Sequence, residues 1–267
     1  MRTPPGRVAF LISAVAALVA WWAVAARVGD PEQVASPLAA GRALLTTFTD
    51  HALLGQLAAA VGSTLGSVLI AFSLAAAVGI PVGLLMGRYL FADLFLDPWV
   101  KAWYSIPAIA FVPLAMNWMG ITWMGAVLAG FLLAVFSVIL SVYSGVKEVS
   151  APMLEPALSY GASQSQLMSK VLLPASLPSI MLGLRLGMAR ALEGVIIAEM
   201  TFSVIGLGGL LDPAADRLHL AQSTALILVL AVISIALSEA MKRANRRAVP
   251  WKEADAVVRE GERAVEN

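Results

Sequence analysis

The sequence predicts an all-α, polytopic membrane protein with six transmembrane helices. Three observations carry that prediction. Of the 267 residues, 60% are hydrophobic and only 13% charged, with a mean hydropathy of +0.84, against the 45–50% apolar content usual for soluble domains. Apolar runs of about 20 residues, the length that crosses a bilayer, recur along the chain. Basic residues collect at alternate ends of those runs, as the positive-inside rule requires. There is no cysteine, which excludes disulfides, thiol catalysis and cysteine metal sites. A net charge of +1 points to no nucleic-acid partner.

The first apolar run, Val8–Ala26, follows Arg2 and Arg7. Ala23-Val24-Ala25 allows a signal peptide as the alternative, but the run exceeds the 7–15 residues of a signal h-region. Trp21-Trp22 at its end suit an interface belt, so it reads as a retained span. Residues 27–56 read as an external loop with a surface helix. The second span, about Leu57–Met86, carries Gly62, Gly66, Gly79 and Gly83, with Gly87 just beyond. Most are four apart, a spacing that lets helices approach closely, either within the chain or at a dimer seam. The third span is about Trp99–Met119 and the fourth about Thr122–Val146, joined by a turn at Gly120-Ile121. A polar segment follows, then a fifth span, about Ser179–Ile205, and a sixth, about Gln222–Met241. The domain reading is residues 1–56 as N-terminal helix and external loop, 57–241 as core with a cytoplasmic segment 147–178, and 242–267 as a charged tail.

Six spans place both termini on one side. That side carries ten basic residues (Arg2, Arg7, Arg88, Lys101, Lys147, Lys170, Lys242, Arg243, Arg246, Arg247), and the other carries three (Arg27, Arg42, Arg217). Both termini and the 147–178 segment are therefore expected in the cytoplasm of a plasma-membrane protein.

Within that segment, Pro156 suits a first helical position, so a short helix is expected from Pro156 to about Tyr160. Gly161 is its natural stop. Ser163 with Gln166 three residues on is a capping-box pattern, and opens a second helix expected to end at Pro174. Its apolar residues are more numerous than a solvated loop needs, which favours docking.

Glu155, Ala157, Gly161, Val171, Leu173 and Pro174 fall at the spacing E-x-A-x3-G-x9-V-x-L-P. This resembles the EAA motif of importer-type ABC transporter permeases, with Pro156 in place of an alanine and Val171 in place of isoleucine. SIPAIAFVPLAMNWMGI (105–121), GLRLGMARALEGVIIAEM (183–200) and GLGGLL (206–211) resemble segments of the nitrate/sulfonate/taurine group. The resemblance covers about residues 36–247. It implies a type I ABC importer permease (MetI-like) fold and a homodimeric pore. Two ATP-binding cassette subunits would dock on Glu155, Ala157, Gly161, Ser163, Val171, Leu173 and Pro174, and an extracytoplasmic solute-binding protein would deliver a small anionic solute such as a sulfonate or nitrate. One departure is Gln164-Ser165-Gln166-Leu167-Met168, where an aromatic and basic residues often follow Gly-Ala-Ser.

Ionisable residues at membrane depth are functional candidates. Arg190 and Glu193, three apart, share a helix face. They form either a self-satisfied ion pair or, through Arg190, part of a path for an anion. Glu199 lies near the external end of the span, where the resemblance implies a gate or packing residue, and a structural role is expected first. Pro107 and Pro113 interrupt helical hydrogen bonding and, with Asn117 and Trp118, mark either a pore-lining helix or a packing kink. Gly206, Gly208 and Gly209 read as an external gate or a flexible turn.

No G-x-x-x-x-G-K-[ST] and no Gly-Lys dipeptide occur, so the chain itself is not expected to be an enzyme or to bind ATP. His51 and His219 are far apart, and neither a metal site nor a cofactor is expected. The alternative is a stand-alone secondary transporter or channel, which calls for an inverted repeat that the sequence does not display. A membrane enzyme would need clustered catalytic groups, and the candidates are scattered.

Overall fold

The computed structural model describes residues 4–28, 34–149, 151–202, 204–216 and 220–250. Every regular element among them is helical. In chain order these are α1 (Pro4–Val28), α2 (Pro37–Thr49), α3 (His51–Arg88), α4 (Leu90–Ser105), α5 (Phe111–Met119), α6 (Trp123–Lys147), α7 (Ala151–Ser159), α8 (Gln164–Leu167), α9 (Leu173–Phe202), α10 (Leu207–Asp216) and α11 (Leu220–Ala248). Among the described residues, four helical stretches are long and apolar enough to cross a membrane: α3, α6, the continuous run Gln164–Phe202, and α11. Val15–Val28 of α1 is a shorter apolar stretch.

Contacts divide the chain into two compact units. One comprises Met1–Thr64 with Glu199–Val232, the other Leu65–Ala198 with Ile233–Asn267. In the first, Ser36 caps α2 by accepting from Ala39 N–H at 3.2 Å, and Trp21 Nε1–H donates to the Ala35 carbonyl at 3.0 Å. Asp50 Oδ1 accepts from Ala52 N–H at 2.8 Å at the start of α3, as an N-terminal carboxylate should.

The second unit is built on small residues. A Cβ on Gly79 would lie 2.8 Å from Val138 Cγ1, and one on Gly83 would lie 2.7 Å from the Ile139 carbonyl oxygen. Gly87 stands equally close to Val146. The glycine stripe of α3 therefore packs against α6 within the chain, while Gly62 and Gly66 face open space. Helix α6 also meets α9, where a Cβ on Gly194 would lie 2.8 Å from Gly130 Cα. Two backbones in near contact leave no room for any larger residue, and dispersion between them replaces the hydrophobic drive that lipid lacks. Val138, Val142 and Ile180 form the buried core there, with Ile80, Leu84 and Leu184 around it.

Several expectations need correction. The third span is not one helix over Trp99–Met119. It breaks after Ser105, passes Pro107 and a 3-10 turn at Ala108–Ala110, and resumes as α5. Proline disfavours helical backbone in the residue before it, and Ile106 is indeed extended (φ −73°, ψ 135°). Pro113 is tolerated because it sits in the first turn of α5, where N–H groups have no helical partner.

The first cytoplasmic-segment helix starts at Ala151 and holds Pro156 inside it, rather than starting there. The second does not stop at Pro174. It passes through a π-helical turn, Met168–Leu172, straight into α9, with Pro174 in the first turn of α9 and Pro178 inside it. Leu173 N–H reaches back to the Met168 carbonyl, a wider turn that accommodates the ring of Pro174 without breaking the helix.

The glycine-rich stretch after the fifth span is not a flexible turn: Leu207–Asp216 is helix α10. Arg2, Arg217, His219 and residues 251–267 of the charged tail lie outside the described residues.

Candidate functional site: a helical hairpin, a glutamate clamp and an arginine cleft

The hairpin of α7 and α8 follows from two local signals. Gly161 takes φ +78°, left-handed backbone that a side chain makes costly. Around it, Ala162 N–H donates to the Ala157 carbonyl at 3.0 Å and Gly161 N–H to the Leu158 carbonyl at 2.9 Å. That pair of bonds is a Schellman cap, and it satisfies carbonyls that the helix end would otherwise strand. Ser163 then opens α8. Its Oγ accepts from Gln166 N–H at 3.3 Å, and Gln166 Oε1 accepts from Ser163 N–H at 2.9 Å, the reciprocal capping box. Arg88 at the end of α3 donates to Gln164 Oε1, which ties this hairpin to the membrane helix.

The hairpin's apolar residues divide. Leu167 and Leu172 are buried, whereas Met153, Leu158, Leu173 and above all Tyr160, at 93% exposure, are not. Glu155 and Pro174 are exposed, and Ala157 and Val171 are half-buried. No Cβ clash surrounds Gly161, so only its backbone angle demands glycine. Tyr160 was not singled out from the sequence. The signal was available: an aromatic at the last position before the helix-stopping glycine.

Glu199 is 1% exposed and holds the start of α10. Thr64 Oγ1 lies 3.0 and 2.9 Å from its two carboxylate oxygens and donates to the carboxylate, and Gly208 N–H donates to Oε2 at 3.0 Å. Leu207 N–H in turn donates to Thr64 Oγ1 at 2.9 Å. A carboxylate at a helix N-terminus is matched to the free N–H groups and the dipole there. Gly206 presses directly on the Glu199 carboxylate, with no room for a Cβ. Ser63 Oγ adds a bond to the Ile205 carbonyl at 2.9 Å. Gly206 and Gly208 thus belong to a fixed cap, and Gly209 lies within the first turn of α10. Thr64 was missed from sequence, being 135 residues from its partner.

Arg190 and Glu193 do pair, at 2.7 Å, with side chains 46% and 43% exposed. Arg190 also lines a cleft of about 270 Å³ with Trp103, Tyr104, Phe111, Phe136 and Ser137, where α4 breaks. Pro107 produces that break but does not line the cleft, and neither do Asn117 and Trp118, both exposed on α5. Near the start of α4, Lys147 Nζ donates to Asp93 Oδ2 at 2.7 Å. That bond, with a second from Tyr143, holds the Asp93 carboxyl below its ordinary range.

Known proteins resemble this chain in sequence and in fold. The taurine transport system permease protein TauC of Escherichia coli K12 is 32% identical over 146 residues, 55% of this chain and 53% of that protein. The chain spans about half the length of the curated relatives it matches. The fold is similar to that of the MetNI methionine ABC transporter in two inward-facing crystal forms. The TM-scores are 0.65 and 0.64 at 20% and 18% identity, covering 74% of this chain and 99% of the solved chain in each case. The family model for binding-protein-dependent transport system inner membrane components matches residues 79–252, a stretch that holds the hairpin, the arginine cleft, Glu199 and α10. With more than half of its length inside that match, the chain belongs to the family of binding-protein-dependent transport system inner membrane components.

Proposed function

We propose that the chain is the permease subunit of an ATP-driven importer. It pairs with a second copy to form the pathway, rests on two ATP-binding cassette subunits, and receives a small anionic solute, such as a sulfonate or nitrate, from an extracytoplasmic binding protein. Six spans cross the membrane, the third running from about Trp99 in α4 through the break to Met119 in α5, with both termini in the cytoplasm. The observation that carries this reading is the α7–α8 hairpin. It is stiffened by a Schellman cap and a capping box, yet it leaves Tyr160, Met153 and Leu158 uncovered. Rigid caps with bare apolar side chains suit a docking knob, because the ordering cost of binding is already met and desolvated aromatics dominate interface energetics. The continuous run from α8 through the π turn into α9 gives a push on the hairpin a direct lever into the membrane. The solute class is supported by the taurine transport named for the relative TauC.

The test is co-expression with candidate ATP-binding cassette subunits, followed by co-purification and uptake in proteoliposomes. A stable complex whose uptake needs ATP is expected. Uptake that proceeds without any ATPase, and survives replacement of Glu155 and Gly161, would show a stand-alone carrier instead.

A further inference from the structure

The cleft at the α4 break has a chemical character that the hairpin and the glutamate clamp do not explain. Trp103 stacks on Phe111 at 5.5 Å and 23° and on Phe136 at 6.3 Å and 7°. These contacts orient its indole, whose Nε1–H is a hydrogen-bond donor only. Arg190 carries five N–H donors, of which Nη1 is engaged by Glu193 Oε2 at 2.7 Å. Tyr104 and Ser137 add hydroxyls. No carboxylate is among the residues lining the cleft. The wall is thus aromatic with a cation and hydrogen-bond donors, and all of it lies in one compact unit. At about 270 Å³ the cleft is slightly smaller than the roughly 300–1,000 Å³ of pockets for drug-sized ligands, which suits one small molecule.

We propose that this cleft is a binding subsite for a small monoanion with a flat apolar body, an aryl sulfonate or aryl carboxylate, whose acid group meets Arg190 and whose ring lies against Trp103 and Phe136. The permease then exerts selectivity of its own, favouring an organic anion over a compact one such as sulfate. Compact anions satisfy the guanidinium but leave the aromatic wall unmatched. Neutral aromatics fill the wall but leave the donors unpaired, an arrangement that costs more than a missing contact. Glu193 keeps Arg190 oriented and partly neutralised, so binding is moderate and release remains fast.

This rests on the reading of the chain as a permease, but its test does not need the ATPase. Equilibrium binding of radiolabelled 2-naphthalenesulfonate is measured on the intact chain in lipid nanodiscs, with empty nanodiscs as control. Saturable binding is expected, displaced by excess unlabelled ligand but not by equal sulfate or by 2-naphthalenemethanol. Arg190→Gln is expected to weaken it by roughly ten- to a hundredfold, the worth of a charge-assisted hydrogen bond. Arg190→Lys retains part of the affinity, and Phe136→Leu weakens binding of the aryl anion. Binding no greater than in empty discs overturns the proposal. So does saturable binding unchanged in both Arg190→Gln and Phe136→Leu, each checked for a monodisperse elution profile. A chain that co-purifies with an ATPase but fails here loses the cleft assignment alone. One that binds the probe as expected but engages no ATPase loses the importer reading instead.

Discussion

Gly161 and Glu199 show how much rests on single residues. Gly161 sits at φ +78° with open space around it, so substitution strains the backbone without any clash. An L-residue in left-handed backbone costs about 1–2 kcal/mol, and a β-branched one more. Gly161→Val is expected to leave the chain folded while splaying α7 from α8. ATP hydrolysis by the assembled complex then continues while uptake is lost, and the two rates measured on the same proteoliposomes check it. Full uptake in that variant would deny the hairpin a coupling role. Glu199→Ala strips the cap of α10 and leaves Thr64 Oγ1 and the Gly208 N–H without their acceptor. Leaving buried polar groups unpaired costs about 1–3 kcal/mol. A lower melting temperature in detergent and faster proteolysis at α10 are expected, with Glu199→Gln intermediate because an amide oxygen still accepts. The hairpin's caps were legible in the sequence because each partner lies within six residues of the other. The clamp was not. Glu199 could be flagged as an ionisable group at membrane depth, but nothing local points to Thr64, which only the tertiary fold brings beside it.

At the scale of elements, the prolines were the hardest to read. Pro107 does break a helix, yet Pro156, Pro174 and Pro178 sit within helices. A proline's missing N–H and bulky ring set a cost, and the surroundings decide whether a wider turn or a full break meets it. At Pro174 the π turn meets it, and α8 and α9 stay one lever. Composition misled in the same way at Leu207–Asp216, where consecutive glycines imply a loop but the Glu199 cap stabilises a helix. The α3 stripe was readable as close packing, and the structure decides in favour of contact within the chain at Gly79, Gly83 and Gly87. Gly83→Leu is expected to force α3 away from α6 and to destabilise the fold by about 1–3 kcal/mol or more, as overpacking does. Thermal unfolding in detergent reads this, and Gly62→Leu, in open space, serves as the neutral control.

The Lys147–Asp93 contact links α6 to α4 in a pH-dependent way. Asp93 has its carboxyl pKa held below the ordinary 3.8 in the fold, chiefly by the Lys147 hydrogen bond. Its contribution to stability is therefore present above the ordinary carboxylate range and is lost as pH falls through the lowered value. Asp93→Asn should lower the melting temperature near neutral pH and show less further loss between about pH 5 and 3 than the parent chain. An identical acid limb in both proteins would remove Asp93 from the account.

For the whole molecule, hydropathy and charge asymmetry were enough to read a multi-pass helical protein, and the spacing from Glu155 to Pro174 was enough to read the family. What they did not reveal is how Trp103, Phe111, Phe136 and Arg190 come together, since these residues belong to three separate stretches of chain. The account's central claim is that the α7–α8 hairpin is where ATP hydrolysis on partner subunits is coupled to this chain, whose sequence carries no G-x-x-x-x-G-K-[ST] loop. The absence of cysteine from the sequence makes that claim directly testable. A Tyr160→Cys variant carries one thiol, at the most exposed point of the hairpin. A short cleavable cross-linker is applied to native membranes, and the adduct is identified by mass spectrometry. The account predicts a permease adduct with a subunit whose peptides include a G-x-x-x-x-G-K-[ST] loop, its yield changing when nucleotide is added. A Tyr160→Cys thiol that labels freely with soluble reagent, yet yields no such adduct in membranes that transport, would contradict it.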